Sequence, residues 1–101
     1  MMRNVTTDGR AMVSGERLFS LHDSCGLPLC MSLDRGLNES QMVVEWPSFI
    51  EAARRQGWLD QRTYRLIAED LLEAGVDREY SENVLAHTRR YMVTNPMEIV
   101  Q

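Results

Sequence analysis

The segment DQRTYRLIAEDLLEAG, residues 60–75, carries the clearest helical pattern in the chain. Its apolar residues fall at i, i+3, i+4, i+7 and i+8, the spacing of one face of an amphipathic helix. They are Tyr64, Ile67, Ala68, Leu71 and Leu72. Charged residues fill the other side, Asp60 is placed to cap the helix, and Gly75 is placed to end it. The segment therefore predicts one helix with a buried face and a solvated face.

Helix signals continue on both sides of this segment. Pro47 suits the first turn of a helix that ends at Gly57, and a last helix runs from Asp77 or Ser81 to Asn95-Pro96. Upstream, Ser14 is placed to cap a further helix. We therefore predict an all-α fold, a small bundle of four to five short helices. Residues 14–101 form its single domain, behind a flexible N-terminal arm at residues 1–13.

Residues 17–33 admit two interpretations. A helix ending at Gly26 fits the stop signal, because Pro28 blocks continuation. Apolar residues at 27, 29, 31 and 33 also alternate with the strand period, which predicts a β-hairpin at 17–33 and an α+β fold as the alternative. The specific stop signal favours the helix. Residues 42–46 predict an extended lead-in, since Trp46 precedes a proline.

The composition excludes several classes of protein. The chain has 101 residues, 11 of them basic and all of those arginine, and a net charge of −4. No apolar run reaches the roughly 18 residues of a membrane span, and residues 1–13 contain no signal-peptide core. We therefore expect a cytoplasmic protein with free Cys25 and Cys30. The lack of lysine is typical of a GC-rich bacterial or viral genome.

No pattern predicts a catalytic residue, a metal site or a cofactor. His22, Cys25 and Cys30, with His87 far along the chain, match no strong zinc spacing. Residues 20–25 contain every residue type of a catalytic triad, but triads are assembled in space and not from neighbours. The glycines form no phosphate-binding loop. We therefore expect a protein that is not an enzyme.

Protein binding is the function that remains. The chain has two tryptophans, three tyrosines and seven methionines beside its arginines, residue types that are enriched at interface cores. An apolar strip at Met42, Val43 and Val44 is the candidate surface. Trp46 and Trp58, which flank the short helix that follows, are further candidates for contact with a partner. The predicted partner is another protein, either a host protein or a second copy of this chain.

A helix–turn–helix DNA-binding regulator is the alternative. Residues 47–74 have its proportions, and its candidate contacts are Arg54, Arg55, Arg62 and Arg65. Three carboxylates follow on the same helix and would repel phosphates. Nucleic acid is therefore the disfavoured partner.

Two runs resemble small helical bacteriophage and prophage proteins. They are residues 21–29, LHDSCGLPL, followed by Ser32-Leu33, and residues 43–49, VVEWPSF, leading to Gly57-Trp58. The similarity covers about residues 18–75. It implies an accessory protein of unassigned role that binds and modulates a host protein, and it carries over no catalytic residue.

Overall fold

A computed structural model describes residues 4–5, 11–34 and 43–96. In chain order the elements are β1 (Asn4–Val5), β2 (Ala11–Ser14), α1 (Gly15–Asp23), α2 (Leu29–Leu33), β3 (Val43–Glu45), α3 (Trp46–Arg55), α4 (Asp60–Glu73) and α5 (Arg78–Thr94). Five helices make up most of the described residues, which confirms the all-α prediction.

The helical interpretation of residues 17–33 is confirmed, and the hairpin alternative is wrong. The Ser14 side chain accepts a hydrogen bond from the Arg17 N–H and caps α1. Gly26 then adopts a φ of +70°, and the Leu27 N–H donates to the Leu21 carbonyl at 3.1 Å. The left-handed glycine turns the chain into α2 and leaves no paired strands here.

A small sheet lies beside the helices, and no strand pattern in the sequence predicts it. Strand β2 pairs in parallel with β3, with Met12 opposite Val43, and antiparallel with β1. Residues 4–5 and 11–13 of the predicted flexible arm therefore take part in strand pairing. The rest of that arm, residues 1–3 and 6–10, lies outside the described residues. The predicted extended lead-in corresponds to β3, and Trp46 already belongs to α3.

Aromatic rings join α1, α3 and the turn before α4. Phe19 packs edge-on against Phe49 and Trp58, with ring centroids 5.4 and 5.2 Å apart. Trp46 packs on Phe49 in the same manner at 5.5 Å. Helix α4 adds Ile67 and Leu71 to this core. Helix α5 buries little beyond Val84 and Thr88, so much of its surface remains open.

Candidate functional site

The residues of the predicted apolar surface that the structure describes are mostly buried inside the protein. Val44, Trp46 and Trp58 are buried core residues, and Val43 is half-buried. Met42 lies outside the described residues. The two tryptophans pack edge-on against Phe19 and Phe49 at the two ends of α3. Their side chains are therefore buried and form no exposed strip.

Arg54 is a structural arginine that joins α3, α4 and the end of α5. Its Nε and Nη2 donate to the two carboxylate oxygens of Asp60 at 3.0 and 2.9 Å, and its Nη1 donates to the Asn95 carbonyl at 2.6 Å. Glu51 pairs with the same Nη1 at 3.2 Å. Asp60 was predicted to cap α4 but instead serves this bidentate pair, and no side chain caps α4.

The remaining three arginines of the DNA-binding alternative differ in their surroundings. Arg62 lies over the Trp58 ring at 3.7 Å, a close cation–π contact. Arg55 pairs with Glu16 at 3.3 Å on the surface. Arg65 is exposed and makes no ion pair with another described residue. Among the described residues, Arg65 is therefore the candidate with no ion pair and no aromatic ring against it.

The sulfur and imidazole groups do not converge. Within the described residues, no group of three or more His, Cys, Asp and Glu side chains could hold a metal ion. Cys25 is exposed and Cys30 is half-buried, and both are free thiols. The His22 ring instead packs edge-on against Trp58 at 6.2 Å.

Asp70 connects α4 to α2. Its Oδ2 accepts a hydrogen bond from the Cys30 N–H, in the first turn of α2, at 3.0 Å. Burial raises the pKa of the Asp70 carboxyl, while this hydrogen bond and the nearby His22 act in the opposite direction. The carboxylate thus positions the first turn of α2.

A groove of about 620 Å³ runs between α4 and α5. Its lining residues are Asp60, Gln61, Tyr64, Arg65, Ala68, Glu69, Arg89 and Met92. The Arg89 Nη2 donates to the Tyr64 hydroxyl at 3.1 Å, and the same guanidinium lies 5.1 Å from the centre of the Tyr64 ring. This pair fixes an aromatic ring and a cation on the open side of the helical hairpin.

Three exposed apolar side chains lie close, along the chain, to residues that line this groove. The described residues include four large hydrophobic side chains that are exposed, namely Leu72 (82%), Val93 (75%), Leu59 (67%) and Met31 (54%). Leu72 and Val93 each lie one helical turn from a lining residue, Ala68 and Arg89 respectively, and Leu59 directly precedes Asp60. We call the groove with Leu72 and Val93 the α4–α5 face.

The sequence pattern does not reveal this face. Leu72 was assigned to the buried side of α4, but the structure exposes it. The signal lay in the width of the apolar stripe, since Leu72 sits at its edge. The contact between Tyr64 and Arg89 spans 25 residues and has no local signature.

A second groove, of about 360 Å³, lies between β3 and α5. Val43, Tyr80 and His87 are among its lining residues, together with Trp46. The Trp46 Nε1 is buried without a hydrogen-bond partner. This groove is smaller than the one between α4 and α5, and none of the four exposed large hydrophobic side chains of the described residues lies within four positions of its lining residues.

No protein-family model, curated protein or solved structure matches the chain. Within the described residues, no helix has the length and apolar character that spanning a membrane requires.

Proposed function

We propose that this protein is a non-enzymatic protein-binding module that contacts its partner through the α4–α5 face. One observation carries the proposal. Three of the four exposed large hydrophobic side chains among the described residues, Leu59, Leu72 and Val93, lie within four positions along the chain of a residue that lines this groove. Apolar side chains gathered on one surface mark interaction sites more often than scattered ones do.

The composition of the groove supports the same function. Tyrosine, methionine and arginine are enriched at interface cores, and this groove contains Tyr64, Met92 and Arg89. Because Arg89 is already held on Tyr64, binding would immobilise fewer side-chain rotamers.

The wider role remains part of the proposal. The resemblance to phage and prophage proteins supports an accessory protein that modulates a host protein, and it is the only support for that role. The cytoplasmic location stays a prediction.

Photo-crosslinking from the face tests the proposal. A photoreactive amino acid at Leu72 or at Val93 is expected to give discrete protein adducts in the native cells. Met31 on α2 is the matched control, because it too is an exposed hydrophobic residue but lies outside this face. Adducts that form equally from all three positions, or from none, would overturn the proposal.

The helix–turn–helix regulator remains the second candidate because of one observation. Helices α3 and α4 are joined by a short turn in which Gly57 has a φ of +84°. Such a turn is typical of the motif. Arg62 and Arg65 lie in the first half of α4, where a recognition helix contacts bases.

A binding assay separates the two functions. For the DNA-binding function, fluorescence anisotropy at low salt would show affinity for one duplex sequence over others. That preference would be lost in the double variant Arg62→Ala/Arg65→Ala and kept in Arg78→Ala, which changes an exposed arginine of α5 outside the groove. Weak binding that is equal for all sequences would reject this function.

A further inference from the structure

We propose that the occupant of the α4–α5 face is a second copy of this chain, related to the first by a twofold axis. The inference rests on the proposed function, since it names the partner of the same face. In this dimer the two α4 helices run antiparallel, and Arg65 of each copy lies opposite Glu69 of the other.

The charges on α4 are arranged for such pairing. Arg65 and Glu69 both line the groove, both are exposed, and they are four residues apart on one helix. Neither is ion-paired with another described residue. In a twofold interface each contact occurs twice with the roles exchanged. An axis that passes midway between these residues therefore creates two equivalent Arg65–Glu69 pairs.

The other charges of the groove do not oppose this arrangement. Asp60 is already neutralised by its bidentate pair with Arg54, and Arg89 is held by Tyr64. Opposite charges that face each other across a boundary specify register and orientation. A partner of a single charge sign would satisfy one of Arg65 and Glu69 but repel the other.

The shape of α4 also suits a second helix. Ala68 lies next to the proposed axis, where a small side chain allows two helices to approach closely. Leu72 of each copy would then reach the first turn of the other α4 helix, which begins after the exposed Leu59. Two such helical hairpins form a four-helix arrangement, in which Leu72, the most exposed large hydrophobic side chain of the described residues, becomes covered.

Complementary charge reversals test the proposal. Analytical ultracentrifugation over a wide concentration range is expected to show dimers of the wild-type chain. Arg65→Glu alone places glutamate opposite Glu69, and Glu69→Arg alone places arginine opposite Arg65. Each variant by itself is expected to dimerise at least about tenfold more weakly. An equimolar mixture of the two is expected to regain dimers, because both pairs then have opposite charges.

Arg78→Glu and Glu82→Arg are the matched controls. These residues form an exposed ion pair with the same four-residue spacing on α5, and neither lines the groove. Each control is expected to dimerise like the wild type. Circular dichroism checks that all four variants keep their helices.

Three results would overturn the inference. They are a wild-type chain that stays monomeric at every concentration, single variants that dimerise undiminished, and a mixture that fails to regain dimers. If Leu72 and Val93 crosslink to a different protein while the wild type is monomeric, the inference fails but the proposed function stands.

Discussion

At the scale of single residues, Gly15 allows α1 to contact the start of α3. A Cβ atom at this position would overlap the Glu45 carbonyl and lie 2.8 Å from the Cβ of Phe49. Helix propensity alone favours alanine over glycine by about 1 kcal/mol. Overpacking a core costs about 1–3 kcal/mol, more when backbone must move. We therefore expect Gly15→Ala to lower the free energy of unfolding by about 2 kcal/mol, as measured in urea.

Gly26→Ala is the control for this prediction. Among the described residues, apart from its two chain neighbours, no atom lies within 4 Å of the position that its Cβ would take, and its φ of +70° costs alanine about 1 kcal/mol. If Gly15→Ala were as stable as the wild type, the close approach of α1 to α3 would be wrong.

The buried Asp70 carboxyl makes the free energy of unfolding depend on pH. Burial raises the pKa of this carboxyl above the ordinary value of 3.8, so the folded state holds the proton more tightly than the unfolded state. The contribution of this group to stability is therefore present below that value and is lost as the pH rises through the folded pKa. Asparagine at this position keeps an oxygen for the Cys30 N–H and carries no buried charge.

Two Asp70 variants separate the charge from the hydrogen bond. Relative to the wild type, Asp70→Asn is expected to gain stability between pH 4 and pH 7 in urea unfolding. Asp70→Ala removes the acceptor and is expected to cost about 1 kcal/mol at pH 7. A relative loss of stability by Asp70→Asn over the same pH range would contradict the assigned cause of the raised pKa.

At the scale of elements, strand β2 supports the helices. It pairs with β3 through Val13 and Val44, and its last residue, Ser14, caps α1. Removal of residues 1–10 is expected to leave the free energy of unfolding close to that of the wild type. Removal of residues 1–14 deletes both the strand and the cap, and is expected to cost more than about 1 kcal/mol. Equal stability of the two truncated chains would show that the β2–β3 pairing does not stabilise the fold.

The helices could be predicted because their signals are local. Gly26, Gly57 and Gly75 all adopt positive φ and end helices at or near the predicted positions. Ser14 and Asp77 cap α1 and α5 as their positions in the sequence indicate. The sheet could not be predicted, because β2 is four residues long and its partner β3 lies about 30 residues away. A short strand acquires its structure from that distant pairing.

The candidate site was less predictable for a related reason. A tryptophan of the core and a tryptophan of an interface look the same in a sequence. Edge-on packing around Phe19 and Phe49 buries both Trp46 and Trp58. Leu72 continues the stripe of α4, but no neighbouring helix covers it. Whether an apolar residue is covered depends on how the helices are arranged, and periodicity does not report that arrangement.

At the scale of the whole molecule, the helices contribute different numbers of buried residues to the core. Helices α1, α3 and α4 enclose the aromatic cluster, whereas α5 covers one side with few buried residues. The hairpin of α4 and α5 therefore presents a broad outer surface. Leu72 and Val93, the two most exposed large hydrophobic side chains of the described residues, lie on this hairpin, and the central claim of the proposed function is that they belong to one binding surface.

Footprinting of side chains in the native cells tests that claim most directly. Carbene labelling, quantified by mass spectrometry, compares the protein at its natural level in cells with the dilute purified chain. We expect labelling of Leu72 and Val93 to fall severalfold in cells, while labelling of Met31 stays unchanged. If all three side chains were labelled equally in the two conditions, the α4–α5 face would not be the binding surface of this protein.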